Sequence, residues 1–456
     1  MAPFDPAAPI ATAEQAAAWL EGLINVEKRP DWPYRRFSLA PIRALLDRLG
    51  APEAALSVLH VAGSKGKGST ALLAEGVLRA AGLRTGTFTS PHLESWTERF
   101  RIDGEPVSGA RLAQAVERVR PHVEALQAAH VDQAPTFFDA TTASALLLFA
   151  EAEVDHAVIE VGLGGRLDST NACTPRVTCI TSIELEHTDR LGDTLAAIAG
   201  EKAGILKTGV PAVVGDLPDE ALDVVTRRAE EVGAPLSCLG TDFALEVLEQ
   251  GDRGSRIRVR DGTLDATFLL PLLGAAAPVN AALAVACVRR LLDVPSAGLE
   301  RAVVQGLETV SLPGRIELIE RDPPVIVDAA HTKASVTALA RVLEGLGRPV
   351  HLVLSISGDK DLASLLGVLL ARARSATLTR AEPARSLDPA DIARVARGVA
   401  PDLPLQVVPN PHLARVGGQR RGAVRDRLRL PRRHRPPGPA RSGRTRPGGG
   451  GARSRP

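Results

Sequence analysis

Apolar residues in this chain come in short runs, separated by stretches with a helical polar rhythm. Residues 57–62 form one such run and predict a buried strand. A glycine-rich turn follows, then a helix over about residues 69–81, with Gly82 placed to end it. Residues 154–161 and 177–183 predict two further strands, and 278–292 a helix. The pattern breaks near Pro313-Gly314 and restarts. Residues 324–328 predict a strand, and the helix behind it sets Val336, Leu339, Leu343 and Leu346 on one face. Residues 350–356 and 376–378 read as strands, with a helix opening around Leu362 between them. Asp388-Pro389 is an N-cap followed by proline at the first helical position. Residues 405–408 give the last strand. Strands alternating with helices predict an α/β architecture with largely parallel sheets. The expected organisation is a first domain over 1–311, a smaller α/β domain over 312–412, and a tail over 413–456. No internal repeat is visible.

Composition changes this picture in two places. Hydrophobic residues are 45% of the 456 and charged residues 24%, as expected of globular domains. The longest apolar runs, such as 143–150, fall far short of the roughly 18 to 20 residues of a membrane span. The start, MAPFDPAAPIATAEQ, lacks a basic-then-apolar signal. Cys173, Cys179, Cys238 and Cys287 fit neither a zinc ribbon nor a disulfide framework. A reducing, cytoplasmic location is therefore expected.

The second place is charge. Residues 413–456 hold fourteen Arg, no Lys and one acid, Asp426, a net +13 against +2 for the whole chain. The first 412 residues therefore carry −11. The tail is rich in Gly and Pro and predicts disorder. It reads either as an arm for nucleic acid or as an end foreign to the fold, such as an out-of-frame gene end. The second reading is preferred here, and nucleic acid is not an expected partner.

Three sites of candidate chemistry stand out. His60-Val-Ala-Gly-Ser-Lys-Gly-Lys-Gly-Ser-Thr70 lies between a strand and a helix, where backbone N–H groups and the helix dipole hold phosphate. Gly63, Gly66 and Gly68 let the backbone wrap an anion, Ser64 and Lys65 lie between them, and Lys67 reaches the terminal phosphates. Ser69 and Thr70 open the helix. The usual phosphate loop has Ser or Thr straight after the lysine, whereas Gly68 intervenes here. ATP is the expected ligand. Glu160 is a lone acid near the C-terminal end of an apolar strand, and such acids are rarely buried unless paired or bound to metal. Ligands of open α/β sheets bind at that edge, so magnesium is the expected partner of Glu160. The Gly162-Leu-Gly-Gly165 run lacks the third glycine of a dinucleotide fingerprint. His187 follows the third strand, at the same edge.

Taken together, HVAGSKGKGST, TSPHLESWTERFRIDG, PTFFDATTASALL, EVGLGGRLDSTN, LEHTDRLGDT, IAGEKAGILK, LPGRIELI, VDAAHT and SGDKD resemble the folylpolyglutamate synthase/dihydrofolate synthase family of Mur-type ATP-dependent ligases. The motifs run from about residue 56 to 363 in the family's order. The resemblance implies a P-loop, Mur-ligase-like domain followed by a smaller Rossmann-like domain. Ser64, Lys65, Ser69 and Thr70 would join Lys67 and the three glycines around ATP. Ser90, Glu160 and His187 match magnesium-coordinating positions. Lys202 matches a lysine that is carbamylated in many members, and a carbamate there would help to hold a second Mg²⁺. Asn280, Arg315, Asp328 and His331 match nucleotide contacts. Phe138 and Asp168 match positions lining a pterin pocket. The chain departs from the family at Thr332, at Ala276-Ala277 and at Glu186, where members have Asn, His-Gln and Asp. Nothing after about residue 412 resembles the family's closing strands.

The implied reaction is ATP-dependent addition of L-glutamate to dihydropteroate, or to the γ-carboxylate of a folate, through an acyl phosphate. A monomer, away from membranes, is expected. Two rivals carry the same motifs: a nucleotide-binding homologue without ligase activity, and an amino-acid ligase acting on a UDP-linked muropeptide. Phe138 and Asp168 argue against the muropeptide.

Overall fold

The computed structural model describes residues 8–25, 37–129, 134–292, 295–358, 361–381 and 386–414. The Arg-rich tail beyond residue 414, and Asp359 and Lys360 of the SGDKD segment, lie outside the described residues. Compact packing divides the chain into two units, 1–348 and 349–456.

The first unit is built on an eight-stranded sheet. Its strands are β1 (Val58–Ala62), β2 (Thr85–Phe88), β3 (Phe100–Ile102), β4 (Glu105–Pro106), β5 (His156–Glu160), β6 (Pro175–Ile180), β7 (Ala212–Val214) and β8 (Leu236–Cys238). They lie in the order β4-β3-β2-β5-β1-β6-β7-β8. The six from β2 to β8 across the middle pair in parallel, and β3 and β4 add an antiparallel edge. β1 is central and its five residues are all buried, because helices cover both faces. The neighbours β5 and β6 flank it, so the loops leaving β1, β5 and β6 meet at one edge.

Helix Lys67–Ala80 follows β1 and packs with helices Ala276–Leu291 and Ser296–Leu307 over one face of the sheet. Leu59, Val61, Leu73, Val77, Leu283 and Val303 belong to this core. Gly76 and Gly306 bring two of these helices into backbone contact: a Cβ on Gly306 would stand 2.5 Å from the Gly76 carbonyl oxygen. The opposite face carries helices Gly109–Ala129 and Phe137–Glu151, with Phe88, Phe100 and Phe149 in a second core.

An antiparallel meander of β9 (Ala244–Gly251), β10 (Gly254–Asp261) and β11 (Leu264–Leu270) follows. Its antiparallel pairing departs from the largely parallel sheets that the sequence pattern predicts. Its alternation is nonetheless clean: β11 buries Leu264, Ala266, Phe268 and Leu270 and exposes the residues between them. A hairpin of β12 (Glu317–Arg321) and β13 (Pro324–Val327) then leads to helix Lys333–Gly345, which buries Val336, Ala340 and Leu343.

The second unit contains a parallel sheet of β14 (Val350–Leu354), β15 (Ala373–Leu378) and β16 (Leu405–Val407). Helices Leu362–Leu370 and Pro389–Val399 pack beside it. Asp388 caps the latter through the Ala390 N–H at 2.8 Å, at the N-cap expected from the sequence. No helix among the described residues is long and apolar enough to cross a membrane.

Candidate functional site

The buried strand β1 ends at Ala62, and the chain must turn sharply to begin the next helix. Gly63 (φ +148°) and Gly66 (φ +83°) make that turn, and both face a close neighbour. A Cβ on Gly63 would stand 1.9 Å from Thr181 Oγ1, and one on Gly66 2.3 Å from Asn280 Oδ1. Only glycine meets both the left-handed backbone and the contact. Gly66 also caps the helix without a side-chain hydrogen bond. The helix therefore opens at Lys67, two residues earlier than the sequence pattern indicated, with its first N–H groups turned to the loop.

The segment after β6 buttresses this loop. β6 stops at Ile180, short of the predicted 183, because Thr181 and Ser182 turn to bond the loop. Ser64 N–H donates to the Ser182 carbonyl at 2.7 Å, and Lys65 N–H donates to Ser182 Oγ at 2.9 Å. Thr181 donates to the Lys65 carbonyl at 2.5 Å. Lys67 folds back, with Nζ donating to the Gly63 carbonyl at 2.9 Å and lying 3.4 Å from that of Ser64. Thr70 Oγ1 lies 3.5 Å from Asn280 Oδ1. Gly68 and Ser69 lie in the first turn of the helix.

Glu160 ends β5 beside the loop and is 5% exposed. Its Oε2 accepts from the Ser90 N–H at 2.9 Å. Burial pushes its carboxyl up; Lys67, the Ser90 N–H, Arg315 and the Gly68 N–H oppose that. Arg315 is thus within electrostatic reach of Glu160. Ser90 precedes a cis proline, Pro91, and its hydroxyl has no hydrogen-bond partner among the described residues.

Lys202, on helix Leu195–Ala203, is 2% exposed and enters the loop from the other side. Its Nζ donates to the Gly63 carbonyl and to Glu186 Oε1, each at 3.0 Å. Glu186 Oε2 takes Lys65 Nζ at 3.3 Å. Burial, then the Lys67 charge, pushes Lys202 down to about 8, with Glu186 resisting. Burial works against Glu186 as well, but Lys202, Lys67 and Lys65 hold its carboxyl below the usual range. In the sequence Glu186 stands out only as a departure from the family pattern. Its bridging role depends on two loops meeting in space, and no local pattern signals it.

His187 caps the short turn Thr188–Leu191 in a left-handed conformation (φ +47°) and is exposed. Partial desolvation by the surrounding protein pushes its imidazole down, Glu186 raises it, and Lys67 and Lys202 lower it further. His187 thus shares the electrostatic neighbourhood of the loop. No hydrogen bond joins it to Ser90 or Glu160 among the described residues.

Phe138 and Asp168 converge on one turn. The Phe138 ring lies so close to Gly162 that a Cβ there would sit 2.4 Å from the ring. Asp168 Oδ2 accepts from the Leu163 N–H at 2.8 Å, and its Oδ1 accepts from the Thr170 N–H at 3.1 Å and from the Thr170 hydroxyl. Burial pushes the Asp168 carboxyl up against these donors.

Asp328 ties the hairpin end together, accepting from the Ile316 N–H at 2.8 Å and the Ala330 N–H at 2.9 Å. His331 is exposed, with Nδ1 3.0 Å from the Ala329 carbonyl. Thr332, another departure from the family pattern, is the N-cap of helix Lys333–Gly345.

No group of three or more His, Cys, Asp or Glu among the described residues forms a metal cage. A hard cation such as Mg²⁺ needs less from the protein when a nucleotide supplies phosphate oxygens. One buried carboxylate, Glu160, and the unpartnered Ser90 hydroxyl beside a phosphate loop fit that requirement.

The Mur ligase middle domain family matches residues 61–288, and the Mur ligase glutamate ligase domain family matches 314–423. The chain is 36% identical to the dihydrofolate synthase/folylpolyglutamate synthase of Bacillus subtilis (strain 168), over 77% of this chain and 81% of that protein. It is also 36% identical to the protein of the same name in Escherichia coli (strain K12), over 78% and 80%. Among solved structures, it resembles Mycobacterium tuberculosis folylpolyglutamate synthase complexed with ADP, with a TM-score of 0.77 and 33% identity. That likeness covers 88% of this chain and 89% of the other.

Proposed function

The chain belongs to the folylpolyglutamate synthase/dihydrofolate synthase family of ATP-dependent Mur-type ligases, and from that premise we propose the following roles for its residues. The enzyme links L-glutamate to a folate or dihydropteroate acceptor at the expense of ATP. The observation that carries the assignment is convergence. The phosphate loop leaves β1, the Glu160–Ser90 contact lies at the end of β5 and Thr181–Ser182 follow β6, three adjacent strands of one parallel sheet, and buried Lys202 reaches the same loop from helix Leu195–Ala203.

The Gly63–Thr70 loop, buttressed at Ser64 and Lys65 by Ser182, wraps the β- and γ-phosphates with the first N–H groups of the helix that opens at Lys67, and Lys67 swings from the Gly63 carbonyl to the γ-phosphate. Asn280, Arg315, Asp328 and His331 complete the nucleotide contacts. Glu160, Ser90 and His187, with Lys202 if carbamylated, are the residues that would hold Mg²⁺; when bound, it would neutralise phosphate charge. A carboxylate oxygen of the acceptor attacks the γ-phosphorus, and ADP departs with the electrons of the broken bond. Lys67 and the loop N–H groups stabilise the charge that develops on the transferred oxygens. The glutamate amine then attacks the acyl carbonyl, loses a proton and expels phosphate. No residue acts as a covalent nucleophile.

Phe138, on helix Phe137–Glu151, stacks the pterin beside the Gly162–Leu163 turn that Asp168 holds. The ligase domain begins near residue 312, a reading supported by the glutamate ligase domain match from residue 314. A cytoplasmic setting is supported by four free cysteines, three of them buried. The test is ADP release with dihydropteroate and with tetrahydrofolate, each with and without L-glutamate. Release that needs both an acceptor and glutamate is expected. Nucleotide binding without acceptor-dependent release would overturn the assignment.

A further inference from the structure

His60 sits in the middle of β1, three residues before the phosphate loop, and is fully buried. Its ring does not reach the loop. Nε2 lies 2.8 Å from Thr170 Oγ1, in the 3₁₀ turn Ser169–Ala172. A hydroxyl has one hydrogen to give, and Thr170 gives it to Asp168 Oδ1. The imidazole must therefore donate, which fixes the tautomer with the proton on Nε2. Nδ1 is then a bare acceptor, and it is buried without a hydrogen-bond partner. An apolar side chain would fill this core position without leaving an orphan. The donor at Nε2 is what the histidine adds.

The donated bonds run in one direction, from His60 to Thr170 to Asp168. The Asp168 carboxylate then holds the Leu163 N–H at 2.8 Å, and the Phe138 ring presses on the preceding residue, Gly162. A second anchor holds the 3₁₀ turn that carries Thr170: Ser169 Oγ donates to Asp139 Oδ1 at 2.6 Å, on the residue next to Phe138. Because that anchor is independent, removing the histidine donor loosens the turn without releasing it.

We propose that His60 is a positioning residue for the acceptor pocket, acting through Thr170 and Asp168 to hold the Gly162–Leu163 turn against the Phe138 ring. The inference rests on the pterin-pocket reading given above. It assigns a strand residue next to the phosphate loop to the acceptor rather than to ATP.

The experiment compares full-length His60→Leu, His60→Gln and Thr170→Val with the unaltered chain, and measures KM for dihydropteroate, KM for ATP and kcat. Loss of one donated hydrogen bond is expected to raise the acceptor KM about tenfold in His60→Leu and in Thr170→Val, with ATP KM within about twofold. His60→Gln keeps an amide donor and is expected to recover most of the loss. The double variant His60→Leu/Thr170→Val should be no worse than either single one. A parallel rise in both KM values, or a Gln variant as impaired as the Leu variant, overturns the proposal. Phe138→Ala separates the two readings. If it leaves the acceptor KM unchanged, the pocket assignment itself fails; if it raises that KM while His60→Leu does not, only the role of His60 fails. Should His60→Leu not fold, ring nitrogen NMR of the unaltered chain decides: a protonated Nδ1 overturns the relay.

Discussion

Lys202 and Glu186 form a buried ion pair, with Nζ 3.0 Å from Oε1 and the lysine side chain 2% exposed. Replacing Glu186 by Gln strands the cation, and the expected loss of stability near neutral pH is about 2 kcal/mol. That deficit should fade as the pH rises through about 8, where Lys202 sheds its proton in the unaltered chain as well. Adding Lys202→Met to the Gln variant should recover much of the stability. Urea midpoints measured across this pH range check both statements, and a Gln variant that unfolds with the parent would refute the pairing.

Lys67→Ala removes the amine that folds back on the loop carbonyls. Glutamate addition is expected to fall by roughly a thousandfold, because the lost charge is needed most as the phosphoryl group transfers. The melting temperature in the absence of nucleotide should change little. Near-normal turnover would remove the loop from the reaction.

Gly66→Ala meets two obstacles, a φ of +83° and the Asn280 carboxamide at 2.3 Å from the new Cβ. Nucleotide binding should weaken in the single variant. Asn280→Ala relieves the contact but not the backbone, whose left-handed conformation costs about 1–2 kcal/mol for a residue with a Cβ. The double variant should therefore recover shape without recovering full affinity. ATP titration by calorimetry reads this, and a Gly66→Ala chain that binds ATP as the parent does would contradict the geometry.

Burial holds the folded-state pKa of His60 at about 3, against 6.5 for an open histidine. The unfolded chain takes up a proton that the folded one refuses. The contribution to stability is thus complete above about pH 6.5 and is lost as the pH falls from there toward 3. Asp139 and Glu75, pushed up by burial, act in the opposite sense, so the effect must be read as a difference. His60→Gln should show a shallower loss of stability than the parent between about pH 6 and pH 4. Parallel curves would mean that the histidine is not held neutral.

The sequence displayed the scaffold of the phosphate site well, and for a physical reason. A strand buried on both faces must be apolar throughout, and a backbone that wraps an anion needs glycine, so residues 58–68 carry their structure locally. Asp388-Pro389 was legible for the same reason, since capping is a matter of adjacent residues. The β9–β11 meander is less legible although β11 alternates strictly, because a short alternation within an α/β rhythm does not itself reveal the direction of strand pairing. The Glu186 bridge and the His60 relay join residues 16 and 110 positions apart, respectively. Such contacts exist only once the sheet has brought β1, β5 and β6 side by side.

The touching backbones at Gly76 and Gly306 bear on how this protein can be engineered. Swapping glycine for alanine in helices is a routine stabilising step, because it restricts the unfolded chain. Here even a methyl group would pry apart the two helices that brace the nucleotide loop. A thermostability campaign should leave this glycine pair untouched and look for its gains at open helical positions such as Gly345 or Gly398, where an added Cβ meets nothing within 4 Å.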